Sequence, residues 1–136
     1  MRYIADLHIH SKYSRACSKD LELPKIDHWA KIKGIQIVGT ADWTHPFWLR
    51  HLKENLLEDG SGILKLRGVD DSTFFMLTTE ISCIYSQGDK VRRLHICLFV
   101  PDFKTVDKIN KALIKRKVNL SSDGRPIMGL HADEVA

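Results

Sequence analysis

The residues best equipped for chemistry are His8 and His10, which form a His-x-His next to the N-terminus, two of seven histidines in 136 residues. If residues 2–7 are a strand, positions i and i+2 point to the same side, and two imidazoles can aim at one point. That is a chelate suited to Zn, Mn or Fe. Two histidines in a surface turn would give the same spacing, so the pair gains weight only from its companions. Asp6 lies two residues before His8, and Asp42 and His45 follow an apolar run. Glu80 in LTTEISCI and His95 in RLHICLF each put one ionisable group into an otherwise apolar or β-rich segment. A carboxylate buried in a strand is costly unless it is paired or bound to metal. The structural alternatives are a strand-end salt bridge from Glu80 to Arg92 or Arg93, and a core or edge His95 satisfied by one backbone bond. Four strand ends that each supply His, Asp or Glu match the way α/β barrels assemble active sites.

The elements that must position these groups follow from periodicity and turn chemistry. Residues 2–7 read as a short strand, followed by a Ser- and Lys-rich loop. Residues 23–33 read as a helix with Pro24 in its first turn, Ile26, Trp29, Ala30 and Lys33 on one face, and Gly34 as terminator. Residues 35–39 are a compact β-rich run. Residues 47–57 suit a second helix with Trp48, Leu52 and Leu56 on one side. A loop at 58–62 and a turn at 69–72 precede strands at 74–84 and 91–100, which can pair as a hairpin about the turn at 86–89. Thr105 is placed to cap a helix running to about residue 117. After the turn chemistry of Asp123-Gly124-Arg125-Pro126, the last residues read as the start of a helix. Alternating strands and helices imply a mainly parallel sheet with helices outside. A closed barrel of that kind takes about 250 residues. The 136 residues are therefore expected to be one partial domain, the N-terminal portion of a longer one.

Several segments resemble one family. Asp6-Leu7-His8-Ile9-His10-Ser11, followed by Ser14, resembles the opening motif of the PHP (polymerase and histidinol phosphatase) superfamily. Thr40-Ala41-Asp42-Trp43-Thr44-His45 is similar to its second motif, Thr79-Glu80-Ile81 to its third, and Leu94-His95-Ile96 to the next. DLHIHSKYSRACSKD, GTADWTHP, TTEIS and SSDGRPIMGL resemble the endonuclease Q type within it. The resemblance implies a distorted (β/α)7 TIM-like barrel, here truncated, with two or three divalent ions (Zn, Mn or Mg) per intact site. On that pattern His8, His10, Glu80 and His95 are metal ligands, and either Asp42 or His45 fills the second motif. Most relatives have an adjacent Asp-His there, whereas two residues separate the pair in this chain. A further ligand that many relatives carry after His10 falls near Arg15 or Ala16, neither of which can bind metal. The family's later His motif and its Asp-x-His motif would lie beyond Ala136. His131 fits neither and reads as a surface helix residue.

Clustered divalent ions generate hydroxide from water near neutral pH and neutralise phosphate oxygens, so no protein nucleophile is required. Cys83 and Cys97 then read as buried strand residues. Lys12, Arg15 and Lys19 follow the first motif and could meet phosphate, as could Arg92 and Arg93. Between Lys90 and Lys117 nine basic residues stand against two acidic ones, which suits a phosphate backbone or an ordinary solvated helix face. Trp43, Phe47 and Trp48 could stack on a displaced base or pack in the core.

Composition sets the outer bounds. A net charge of +4, 43% hydrophobic and 28% charged residues describe a globular chain rather than a disordered one. No apolar run reaches the roughly 20 residues of a membrane span. Three cysteines without CxxC spacing, and a start unlike a signal peptide, fit reduced thiols in the cytoplasm. The expected activity is metal-dependent phosphodiester hydrolysis, an endonuclease acting on DNA with deaminated bases in repair. The alternatives are a small-molecule phosphatase of the histidinol phosphatase kind and a non-catalytic fragment or binding module. DNA is the expected partner and a membrane is not. An open sheet edge would favour self-association of a truncated chain.

Overall fold

The computed structural model describes residues 2–135. Among these residues, seven strands form a mixed sheet around one long central strand. β1 (Ala5–Asp6) runs parallel to β2 (Ile37–Gly39), and β2 runs parallel to the start of β5 (Phe74–Gln87). β3 (Leu56–Glu58) and β4 (Leu64–Leu66) form a small antiparallel pair whose β4 joins β5 at Leu64↔Phe75. β6 (Lys90–Val100) lies antiparallel to β5 from Leu77↔Val100 to Gln87↔Lys90, and β7 (Ile127–Met128) lies parallel to it at Ser82 and Cys83. The expected mainly parallel sheet is thus corrected to a mixed one. Its β1–β2–β5 part is parallel, but the longest ladder is the antiparallel hairpin.

The three helices show why the local rules held and where they slipped. α1 (Leu23–Lys33) carries Pro24 in its first turn and ends on Gly34 at φ 70°, whose N–H reaches the carbonyls of Ala30 and Lys31. A left-handed residue here costs glycine nothing, so the helix stops where the sequence says. Its buried face is Leu23, Ile26, Asp27 and Ala30, whereas Trp29 is 53% exposed. Asp27 can be buried because Thr73 N–H donates to it at 2.6 Å and Lys31 pairs with it at 3.1 Å. α2 (Pro46–Asn55) buries Trp48 and Leu52 and ends two residues before the expected limit. Leu56 turns to extended geometry and enters β3, which the helical reading had absorbed. α3 (Phe103–Lys115) is capped by Asp102, not Thr105. The Asp102 carboxylate accepts from Thr105 N–H at 2.6 Å, and its charge suits the positive end of the helix better than a hydroxyl would. The tail forms β7 and a single 3-10 turn (Ala132–Glu134) rather than the start of a long helix.

The core has two parts. One joins α1, α2 and the first half of β5 around Trp43, Trp48, Leu52, Phe75 and Leu77. The other lies under the second half of β5 with Ile81, Cys83, Leu113, Leu120 and Met128. No helix among the described residues is long and apolar enough to cross a membrane.

Gly39 closes β2 where the Leu7 backbone and the Thr78 side chain come close. A Cβ there would stand 2.5 Å from Thr78 Oγ1 and 2.7 Å from the Leu7 carbonyl oxygen, and the latter cannot swing aside. Gly39→Ala is expected to destabilise the fold by about 1–3 kcal/mol, read as a lowered thermal midpoint. Gly129→Ala, whose Cβ would meet nothing closer than 3.9 Å, should leave the midpoint in place. Equal midpoints for the two variants would refute this account of the β1–β2–β5 junction.

Candidate metal centre

The parallel strands deliver three segments to one end of the sheet. His8 and His10 follow β1, Asp42 follows β2, and Glu80 stands inside β5. Glu80 Oε2 lies 3.2 Å from His8 Nε2 and 3.0 Å from His10 Nε2. Glu80 is only 3% exposed, yet its Oε2 has no hydrogen-bond partner with acceptable geometry. Its other oxygen sits 2.6 Å from His95 Nδ1. His95 opposes Ser82, and Glu80 opposes Cys97, so the hairpin register makes His95 and Glu80 diagonal neighbours on one face. Arg93 opposes Ile84, four residues further along β5 and about 13 Å away at 3.3 Å per residue. That register removes the strand-end salt bridge to Arg92 or Arg93. Arg125 takes its place, with Nη1 3.6 Å from Glu80 Oε2.

Asp42 lies outside that donor group and faces the first loop instead. Its Oδ2 accepts from Ser11 N–H at 2.6 Å, Ser11 Oγ at 2.7 Å and Ser14 Oγ at 2.9 Å. Its Oδ1 lies 3.2 Å from His10 Nδ1. A carboxylate can only accept, so the network puts the His10 proton on Nδ1 and leaves the Nε2 lone pair facing Glu80 Oε2. Two lone pairs 3.0 Å apart repel unless a proton or a metal cation lies between them.

This is the arrangement that a divalent ion would complete. At a metal–ligand length of about 2.0–2.1 Å, donors of one tetrahedral or octahedral ion stand about 3.0–3.4 Å apart. The His8, His10 and Glu80 donor atoms all lie within 4.8 Å of one another and form a group that could hold a metal ion. The unpartnered Oε2 is the atom such an ion would satisfy. Two imidazole nitrogens and a carboxylate oxygen suit Zn, Mn or Fe alike, so the donor set does not choose among them.

The turn after β2 is held in strained geometry. Ala41 (φ 58°) and Asp42 (φ 43°) are consecutive left-handed residues with side chains, each costing about 1–3 kcal/mol. The Trp48 indole N–H bonds the Thr40 and Ala41 carbonyls at 3.0 Å, and Ala41 N–H donates to Thr78 Oγ1 at 3.1 Å. Charge-assisted bonds to Asp42, at about 1.5–3 kcal/mol each, are of the size needed to offset the strain.

Other expected site residues are elsewhere. His45 is 5% exposed, stacks on Tyr13 at a centroid distance of 4.2 Å, and lies outside the donor group. Lys12 is tied to Glu22 and lies over the Tyr13 ring. Arg15 is exposed beside Asp123 at 3.5 Å, and Lys19 is exposed. Arg92 pairs with Gln87 near the hairpin end. Trp43 and Trp48 are fully buried, so Phe47, 55% exposed, is the one of the three aromatics able to meet a base. His131 is exposed and stacks on Tyr85 at 4.2 Å. Ser11, Ser14 and Arg125 were not singled out as site residues by type or spacing. Their signal was present only in the motif strings, DLHIHSKYS and SSDGRP.

Burial and charge set the titration of the site. Burial pushes the Glu80 carboxyl up, but the His8 contact and the charges of Arg125 and His95 outweigh it and hold it below the usual range. Burial pushes the His45 and His51 imidazoles down, and it pushes the Cys17, Cys83 and Cys97 thiols up, away from the thiolate.

No family model matches the chain. The uncharacterized protein MJ0043 of Methanocaldococcus jannaschii is 31% identical over 130 residues, covering 96% of this chain and 14% of that protein. The crystal structure of the lesion-specific endonuclease PfuEndoQ from Pyrococcus furiosus matches at TM-score 0.81 and 34% identity, covering 98% of this chain and 30% of that one. An endonuclease Q in complex with a 27-mer duplex substrate, with an abasic lesion at the active site, matches at TM-score 0.82 and 34% identity, covering 98% and 31%. The chain thus spans less than a third of each of these proteins.

Two expectations follow from this geometry. Asp42→Asn should weaken Zn or Mn binding about ten- to a hundredfold while leaving the donor atoms in place. Competition with a chromogenic chelator reads this, and unchanged affinity would remove Asp42 from the centre. The second concerns acid. The folded state disfavours protonation of His45 and His51, whereas the unfolded chain protonates them near the ordinary 6.5. Their contribution is therefore complete above that value and lost as pH falls below it. The metal-free protein should show a falling thermal midpoint from about pH 7.5 to about pH 5.5, with a shallower slope in His51→Gln. An identical slope in the variant would rule out His51 as a contributor.

Proposed function

We propose that this chain carries part of the catalytic centre of a metal-dependent phosphodiesterase, an endonuclease acting on DNA with deaminated bases in repair. The observation that carries the reading is the convergence of His8, His10 and Glu80 on one point, with Glu80 Oε2 at 3.0–3.2 Å from both imidazoles and bonded to neither. The similarity to lesion-specific endonucleases over 98% of the chain supports the substrate class. In this reading the described strands belong to a distorted (β/α)7 barrel of the PHP kind, in the cytoplasm, and longer relatives carry the remaining strands.

When bound, divalent ions here supply Lewis acidity, activating water and neutralising phosphate oxygens. The chain's own residues do the rest. His8, His10 and Glu80 hold the ion, and His95 holds the second Glu80 oxygen. Asp42 with Ser11 and Ser14 fixes the His10 tautomer. Asp42 and His45 are not needed as direct ligands in this arrangement. The exposed Lys90, Arg92 and Arg93 on the β5–β6 hairpin, with Lys104, Lys108 and Lys111 on α3, offer charge to a DNA backbone.

The full-length polypeptide should bind two or more divalent ions by elemental analysis. It should cut duplex DNA carrying uracil or hypoxanthine in Mn or Mg, and lose the activity to a chelator. Glu80→Gln should lower cleavage by more than about a hundredfold. Turnover of phosphate monoesters without DNA cleavage would replace the endonuclease with a small-molecule phosphatase. Failure to bind metal would sink both.

A further inference from the structure

We propose that Arg125 is a phosphate-binding residue of this centre, its guanidinium taking a non-bridging oxygen of a phosphodiester seated beside His8, His10 and Glu80. The proposal rests on the metal-centre reading above and adds to it a residue that spacing did not suggest.

Arg125 reaches the cluster from a loop more than 40 residues beyond Glu80, and that loop is wired to the site. Gly124 N–H donates to the Tyr13 carbonyl at 3.1 Å, Thr44 Oγ1 donates to the Gly124 carbonyl at 3.2 Å, and Ser82 N–H donates to the Pro126 carbonyl at 3.0 Å. Arg125 N–H itself closes a turn on Asp123 Oδ1 at 3.0 Å. Gly124 has no room for a side chain, since a Cβ would collide with the Asp42 carboxylate and Ser14 Oγ. Backbone bonds on both sides of Arg125 thus fix it to the segments that carry His10, Asp42 and Glu80.

The side chain is placed but not committed. Its Nη1 is 3.6 Å from Glu80 Oε2, beyond hydrogen-bond length, and it remains 37% exposed. Among the described residues it is the one Lys or Arg in ion-pair range of Glu80. Lys12 is held by Glu22, Arg15 stands beside Asp123, and Arg92 pairs with Gln87. Asp42 is already engaged by two serines and His10, so it does not compete for the guanidinium. A cation at Glu80 Oε2 would take over that oxygen's charge and leave the partly exposed guanidinium of Arg125 free for another anion. Its planar fork matches two oxygens of a phosphate, which a lysine cannot do.

The competing role is purely internal, with Arg125 present only to compensate the buried Glu80 charge. Inorganic phosphate binding to the metal-loaded full-length polypeptide separates the two, measured by calorimetry alongside metal affinity in the same variants. Arg125→Gln should weaken phosphate binding about ten- to a hundredfold with metal affinity unchanged. Arg125→Lys should recover part of the loss, and on DNA the glutamine variant should raise KM as well as lower kcat. Near-UV circular dichroism checks that both variants keep the fold, as the backbone bonds of the loop predict. Unchanged phosphate affinity in folded, metal-loaded Arg125→Gln would overturn the proposal and leave the metal centre standing. So would a phosphate loss that only follows a parallel loss of metal. Absence of metal uptake by the unaltered polypeptide would instead remove the centre, and this proposal with it.

Discussion

The Glu80 carboxylate sits in the middle of the longest strand, 3% exposed, with one oxygen unpartnered. Water cannot solvate it there, and an uncompensated charge in that position would cost several kcal/mol. The chain answers by surrounding it with positive or polarisable groups drawn from distant segments. Two imidazoles come from the loop after β1, a third from β6 through the hairpin register, and a guanidinium from the loop before β7. Each arrival depends on a different piece of topology. The parallel β1–β2–β5 order aligns the first, the antiparallel ladder sets the second, and the β5–β7 pairing brings the third. The fold can therefore be read as the means of bringing four side chains to one oxygen pair.

The turn after β2 serves the same end at a conformational cost. Two consecutive left-handed residues with side chains would not persist in an isolated loop. They persist here because Trp48, Thr40 and Thr78 hold the backbone from below and Ser11, Ser14 and His10 hold Asp42 from above. A core tryptophan, buried for apolar reasons, doubles as the donor that fixes the turn. That links α2 packing to the orientation of His10, through contacts that span the core and the site.

Much of this was legible in the sequence, and what was not has identifiable causes. α1 was readable from Pro24, its apolar spacing and Gly34, and the hairpin from two β-rich runs about a Gly-containing turn. His8 and His10 stood out by their His-x-His spacing, and Glu80 because a carboxylate clashes with an apolar strand. β3, β4 and β7 are two or three residues long, too short for any periodicity to declare itself. Trp29 was misplaced because a buried Asp27, satisfied by Thr73 and Lys31, rotated the inward face of α1. The Asp42–His45 ambiguity could not be settled by spacing, since it turns on a left-handed turn that aims one side chain at the serines and sends the other under Tyr13. Arg125 was invisible as a site residue because its approach depends on Gly124 fitting against Asp42, a contact across 82 positions.

The two carboxylates of the site show how environment assigns roles to identical groups. Asp42 is fully buried, and both of its oxygens are engaged by donors. Its Oδ2 accepts three of these bonds, so a metal taking that oxygen would break bonds worth about 1.5–3 kcal/mol each. Glu80 is nearly as buried, but its Oε2 meets imidazole nitrogens that face it without a hydrogen bond. The first carboxylate is therefore spent on orientation, and the second retains the capacity to bind. An ion arriving at the cluster would relieve the Glu80 oxygen and disturb nothing around Asp42. That asymmetry is why the chemistry is assigned to the His8–His10–Glu80 point even though an Asp and a His of the second motif lie close by.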